Sequence, residues 1–255
     1  MARLLVVQHE PDAPVAWLGE WWTSLGLDLD VVRGDLGEPV AEQLGGHDGL
    51  VVLGGAMGAC DDSTAPWLAP TRALIADAVR REVPTLGVCL GHQLAAVALG
   101  GRVGPNPSGR TVGLVPVQLT DAGARDPLLS GLGGLVAVHY NDDVVHEAPP
   151  ASSLLATLPD GRPQALRFGT AAWGVQFHPE TSPEVFGAWL RWDSPDGLTD
   201  AQADLLAEVT AARDALRVAW QPLAERFAAL VVARDAGARD GATTADAVRA
   251  ASVTP

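Results

Sequence analysis

Residues 87–93 read Gly-Val-Cys-Leu-Gly-His-Gln (GVCLGHQ), a cysteine framed by glycines in a chain with only 2 cysteines. The stretch lies between an apolar run, Val83–Val88, that reads as a buried strand, and a helical pattern over His92–Leu99. Towards the N-terminus the same alternation continues. Arg3–Gln8, Leu29–Arg33 and Gly49–Leu53 are short apolar strands, while Ala13–Leu25 and Trp67–Arg81 carry apolar residues at helical spacing. Strands alternating with helices predict an α/β fold with a parallel sheet covered on both faces.

Beyond Gly100 the pattern changes. Val112–Leu119, Leu135–Val138, Leu154–Leu158, Gln164–Phe168 and Ala172–Phe177 are short and β-rich, with Asp160-Gly161 as a turn signal. They predict antiparallel strands added to the edge of the sheet, followed by a helix over Pro183–Trp192. Thr199 and Gln202 have capping-box spacing. They open a helical stripe of Leu205, Val209, Ala212, Leu216, Trp220, Leu223, Phe227 and Leu230, which Pro222 is expected to kink or split. The chain thus divides into a main α/β domain over 1–195, a C-terminal helical extension over 196–236 and an Ala/Gly/Asp/Arg-rich tail over 237–255, where Asp246–Ala251 reads as a last short helix. The stripe is too apolar to face water. It either docks on its own domain or forms a contact with a second copy or another chain.

The formal net charge of -14 over 255 residues argues against nucleic acid and against an anionic membrane surface. No apolar run is long enough to span a bilayer, and no signal peptide is visible, so a soluble, cytoplasmic protein is expected. The acidic and histidine residues lack metal-ligand spacing. The 8 tryptophans read as core or interface rather than a cofactor box, and no cofactor is implied.

Gly87-Val88-Cys89-Leu90-Gly91 has the form of the nucleophile elbow G-x-S-x-G, with cysteine as the nucleophile on a sharp strand-to-helix turn. A helix N-terminus favours a thiolate. A cysteine nucleophile needs a base, and the base needs an orienting partner. His178 follows a strand and precedes Pro179-Glu180, and residues two apart in extended chain project to the same side. Glu180 is therefore within reach of the His178 imidazole. An oxyanion needs donors, and Gly54-Gly55-Ala56-Met57-Gly58 would lie at the same carboxyl edge of the sheet as Cys89. The backbone N–H groups of Gly55 and Leu90 are the candidates. Cys60, with no base beside it, reads as a plain cysteine. His9, His47, His92, His139 and His146 read as structural or exposed.

GVCLGHQ, the downstream FHPE (177–180) and the upstream Gly-rich turn, in that order, resemble the class I glutamine amidotransferases over about Arg3–Trp192. In particular they resemble the amidotransferase domain of GMP synthase. Gly113–Val117 and His139-Tyr140-Asn141-Asp142 are similar to two further family segments. The resemblance implies a flavodoxin-like fold with added antiparallel strands. It implies that Cys89 attacks the glutamine side-chain amide, that His178 moves the proton, that Glu180 orients His178, and that Gly55 and Leu90 bind the oxyanion. Gln93, Asn141 and Asp142 match the substrate contacts. Two departures stand out: Tyr140-Asn141-Asp142 where many relatives carry His-Gly-Asp, and Ala56-Met57 where a Gly-Pro turn is commoner. Two activities are implied. One is a glutaminase feeding ammonia to a separate synthase chain. The other is a free-standing γ-glutamyl hydrolase acting on a γ-glutamyl amide. A binding module that merely kept the fold is the third alternative.

Overall fold

The computed structural model describes residues 1–251, with side chains through residue 237. Strands β1 (Arg3–Gln8), β2 (Asp28–Arg33), β3 (Gly49–Val52) and β4 (Thr85–Val88) alternate with helices α1 (Ala16–Ser24), α2 (Leu68–Arg80) and α3 (Leu90–Ala98). Then come β5 (Arg102–Pro105), β6 (Thr111–Pro116), β7 (Gln118–Leu119), the short α4 (Asp121–Ala124), β8 (Val136–Asn141), β9 (Asp143–Glu147), β10 (Ser152–Thr157), β11 (Pro163–Phe168) and β12 (Ala172–Val175). Helices α5 (Pro183–Asp193), α6 (Asp200–Ala211) and α7 (Arg213–Ala251) close the described chain.

The main sheet runs β2-β1-β3-β4-β12-β11-β10-β7. The first five strands are mutually parallel and the last three add antiparallel; Ala172–Val175, expected among the added antiparallel strands, instead runs parallel to β4 inside the sheet. Because side chains alternate along a strand, β1 feeds two cores. Leu4 and Val6 pack with α1, α5 and α7 on one face, whereas Leu5 and Val7 pack with α2 and α3 on the other. The strand order reverses between β1 and β3, and the carboxyl ends of the parallel strands beside this reversal are where ligands bind in such sheets.

Two short ribbons, β5 with β9 and β6 with β8, stand apart from the main sheet. The sequence reading missed β5 and β9. It also merged β6 and β7, which Val117 separates.

The capping box at Thr199 forms as predicted, with Thr199 Oγ1 and Gln202 exchanging bonds with each other's backbone N–H. The expected break at Pro222 does not occur there. The stripe divides at Ala212, between α6 and α7, and α7 continues through Pro222. The carbonyl that Pro222 leaves without a donor belongs to Val218, which is 72% exposed and so lies on the solvent side. Asp246–Ala251 is the end of α7 rather than a separate helix.

The apolar stripe docks within its own chain. Leu216, Trp220, Leu223, Phe227 and Val231 are buried in the same core as Trp17, Leu18 and Trp22. Trp22 Nε1 donates to the Ala224 carbonyl at 3.0 Å, and its ring lies 5.5 Å from that of Phe227. Trp220 stacks on Phe177 at 4.8 Å and donates through Nε1 to the Val136 carbonyl. A dimer built on these residues would need a face that the fold already covers.

Candidate active site

The β4–α3 junction explains the glycine frame. Cys89 caps α3 with φ 50° and ψ -103°, an uncommon conformation for a residue with a side chain. Its N–H donates to the Val175 carbonyl of β12 at 2.8 Å, which fixes the turn against the neighbouring strand. A Cβ on Gly87 would lie 2.5 Å from the Gly91 carbonyl oxygen, and one on Gly91 would lie 2.0 Å from the Val52 carbonyl oxygen. Only glycine lets the turn close this tightly against β3 and itself.

Cys89 opens into a cavity of about 550 Å³. Gly55, Gln93, Asn141, Asp142 and His178 also line it, so six of the eight residues singled out in the sequence meet at one place. Glu180 and Leu90 stand behind the lining. His178 follows β12, and its N–H donates to the Val138 carbonyl at 2.8 Å, tying it to β8. Its Nδ1 lies 2.7 Å from Glu180 Oε1, and both residues are buried. Thr181 Oγ1 donates to the same carboxylate oxygen at 3.3 Å. The Trp189 ring lies 4.5 Å from the imidazole and limits its rotation. Burial opposes a charge on His178, but the charges of Glu180 and then Cys89 outweigh it, and the imidazole pKa is raised to about 10.

The Gly54–Gly58 turn follows β3. A Cβ on Gly54 would touch His178 Cε1 at 3.2 Å and Cys89 Cβ at 3.6 Å, so the turn lies against both. Two carboxylates hold it: Ala56 N–H donates to Glu10 Oε2 at 3.3 Å, and Gly58 N–H to Asp61 Oδ2 at 2.8 Å. The Leu90 N–H belongs to the first turn of α3, where a helix offers no internal acceptor.

On the opposite wall, Gln93 Nε2 donates to the Asp143 carbonyl at 3.0 Å and to Gln176 Oε1 at 3.2 Å. Asn141 Nδ2 donates to the Asp143 carbonyl at 3.0 Å. Asp142 accepts a two-pronged bond from Arg110 at 2.9 and 2.7 Å. Arg110 and the Tyr140 hydroxyl both bond Asp193.

Several residues of this site escaped the sequence reading. Gln176 donates to Cys89 Sγ at 3.5 Å, and it lies two residues before His178 on the same side of the chain. Glu10 lies two residues beyond the end of β1, so the carboxyl-edge rule that located Gly55 also points to it. Arg110, Trp189 and Trp192 carry no comparable signal. The other five histidines stay outside the cavity lining, and Cys60 is exposed. Among the described residues no group of three or more His, Cys, Asp or Glu is placed to hold a metal ion. No helix there is long and apolar enough to cross a membrane.

A cysteine elbow at the carboxyl edge of an α/β sheet, with a buried His–Glu pair beside it, is an arrangement suited to nucleophilic catalysis. The family model "Glutamine amidotransferase class-I" matches residues 17–191. The glutamine amidotransferase-like protein YfeJ of Salmonella typhimurium is 30% identical over 205 residues, covering 78% of this chain and 84% of that protein. A glutamine-hydrolysing GMP synthase subunit of Ignicoccus hospitalis is 39% identical over 105 residues, 40% of this chain, and this match spans about half (53%) of the relative's length. A solved glutamine amidotransferase from Thermotoga maritima has the same fold, with a TM-score of 0.79 at 23% identity, covering 89% of this chain and 98% of that one. The chain belongs to the class I glutamine amidotransferase family and is an enzyme.

Proposed function

We propose that the enzyme hydrolyses the side-chain amide of glutamine through Cys89, His178 and Glu180. Cys89 Sγ attacks the amide carbon, with the oxyanion held by the Gly55 and Leu90 N–H groups. One such donor contributes about 3–4 kcal/mol to the transition state. The attack forms the S–C bond; collapse of the oxyanion restores the carbonyl and breaks the C–N bond, and His178 gives its proton to the departing ammonia. Water then attacks the γ-glutamyl thioester, His178 takes its proton, and glutamate and the free thiol result. Glu180 holds the imidazole in one tautomer and supports its charge. The observation that carries this reading is the buried 2.7 Å contact between His178 and Glu180 in the wall that Cys89 shares.

The ammonia passes to a separate synthase chain in this reading. The kinship with a glutamine-hydrolysing GMP synthase subunit supports it. Ammonia release from glutamine by the purified chain, with mass-spectrometric capture of a γ-glutamyl adduct on Cys89, tests the chemistry. Glutamine left intact and Cys89 unmodified would refute it. A second reading, cleavage of a substituted γ-glutamyl amide, is favoured by the volume of the cavity and by Trp192 at its rim, 66% exposed.

A further inference from the structure

The cavity beside Cys89 carries more negative charge than glutamine needs. Glu10, Asp12, Asp61, Asp142 and Asp143 all line it. The lining contains two basic residues, and both are engaged: Arg110 with Asp142 and Asp193, and His178 with Glu180. Among the described lining residues, four carboxylates are thus left without a basic partner. Two of them, Asp143 and Glu10, are held above the ordinary carboxylate range. Burial, and then the charges of Asp142 and Asp61, push the Asp143 carboxyl up. Burial, with Asp12 and Asp35 nearby, does the same to Glu10.

A second, uncharged group makes the same demand. Asn141 lines the cavity and is only 5% exposed. Its Nδ2 is bonded, but its Oδ1 is buried with no partner. A buried acceptor left open calls for a donor from a ligand. The rim adds Trp192, whose exposed indole can receive a cation on its face.

Glutamine brings one ammonium and one carboxylate, a net charge of zero. One ammonium can satisfy Asn141 Oδ1 and one carboxylate, and the remaining excess stays uncancelled. We infer that the site selects γ-glutamyl amides whose departing amine carries a second positive charge, such as an ω-aminoalkyl amine. The unpaired carboxylates and the Trp192 face receive that second ammonium. This rests on the thioester reading above and changes only the leaving group. Attack forms the S–C bond and the oxyanion; its collapse breaks the C–N bond as His178 supplies one proton to the nitrogen, and the amine leaves with the single charge of its distal ammonium, its new amino group taking a second proton from water. An amine bearing a carboxylate would be repelled by the same wall.

The test compares glutamine, the γ-glutamyl amide of pentylamine, that of 1,4-diaminobutane and that of 4-aminobutyrate. The diaminobutane amide should exceed the pentyl amide in kcat/KM by tenfold or more at low salt, with the 4-aminobutyrate amide the poorest. The advantage should collapse near ~1 M NaCl, where the screening length is about 3 Å. Asp12→Asn should cut the ratio of cationic to pentyl turnover severalfold, and Asp12→Asn with Glu10→Gln should cut it further. Calorimetry on the Cys89→Ala protein supplies a readout free of turnover, with the diaminobutane amide binding at least tenfold tighter than the pentyl amide. Equal turnover of the two amides, a preference for glutamine over both, or equal binding would overturn the inference while leaving Cys89-dependent cleavage standing. Failure to cleave any of the four, with Cys89 unmodified, would overturn the thioester reading as well.

Discussion

A methyl group on Gly91 would lie 2.0 Å from the carbonyl oxygen of Val52. The obstacle is backbone in the middle of a parallel sheet, which cannot rotate aside as a side chain would. Gly91→Ala must therefore push α3 away from β3 and carry Cys89 with it. We expect a loss of about 3 kcal/mol or more in stability, at the upper end of overpacking costs, and near-complete loss of thiol reactivity. Urea unfolding and alkylation of Cys89 read the two effects. A Gly91→Ala protein of unchanged stability would show that the elbow is looser than its geometry.

Cys89→Ala should abolish turnover, whereas Cys60→Ser should retain most of it, since only Cys89 lies in the elbow and the cavity wall. Amine or ammonia release separates them. Comparable losses in both variants would remove the case for a single nucleophile.

The raised pKa of His178 has a sign that can be checked. A histidine whose folded pKa lies above its unfolded value of 6.5 stabilises the fold fully below pH 6.5. That contribution is lost as pH rises through about 10. Glu180→Gln removes the principal charge that holds the imidazole protonated. We expect the His178 titration, followed by imidazole NMR, to move down towards 6.5. The variant's stability deficit relative to the parent should be largest at pH 6 and shrink by pH 10, and turnover should fall by a hundredfold or more. An unmoved titration would dissociate Glu180 from His178.

Three other histidines act in the opposite sense. Burial lowers His9 to about 4, and His92 and His139 to about 3. They fold neutral, so their contribution is present above pH 6.5 and is lost as pH falls from 6.5 towards 3 or 4. Each fully coupled histidine adds a slope of about 1.4 kcal/mol per pH unit. Stability should therefore decline steeply below pH 6.5, and His92→Asn should flatten that decline in urea titrations between pH 7 and 5. Parallel curves for parent and variant would show that His92 takes up a proton in the folded state.

Removing α6 and α7 by ending the chain after Asp196 should unfold it. Leu216, Trp220, Leu223, Phe227 and Val231 are at most 2% exposed. At about 1.5–3 kcal/mol for each large apolar side chain, their loss rivals the 5–15 kcal/mol of a whole domain. Circular dichroism of the truncated chain decides this. A cooperative melt would make the helices a true appendage.

The sheet and the elbow were legible because their signals are local. Each parallel strand is a short apolar run beside an amphipathic helix, and the Gly87–Gly91 frame marks a backbone contact that no other residue permits. Strands β5 and β9 were illegible because Gly104, Pro105 and Asp143 break any alternation and the pair is stabilised by its own ladder. Pro222 misled because its consequence depends on where the Val218 carbonyl points. His178 and Glu180 are two residues apart and could be read together. Arg110 meets Asp142 and Asp193 only because the chain folds back across 32 and 83 residues, and no spacing rule reaches that far.

The bond from Trp22 to the Ala224 carbonyl closes a loop of 202 residues. It also sets an order of events during synthesis. Trp17, Leu18 and Trp22 emerge from the ribosome about 200 residues before the helix that covers them. At 5–20 residues per second, that interval is about 10–40 s. Throughout it an aromatic face near the N-terminus stands open to chaperones and to other nascent chains. Non-local contacts of this kind also slow refolding of the released protein. Chains stalled before residue 216 should be cleaved readily within α1, and released chains should resist.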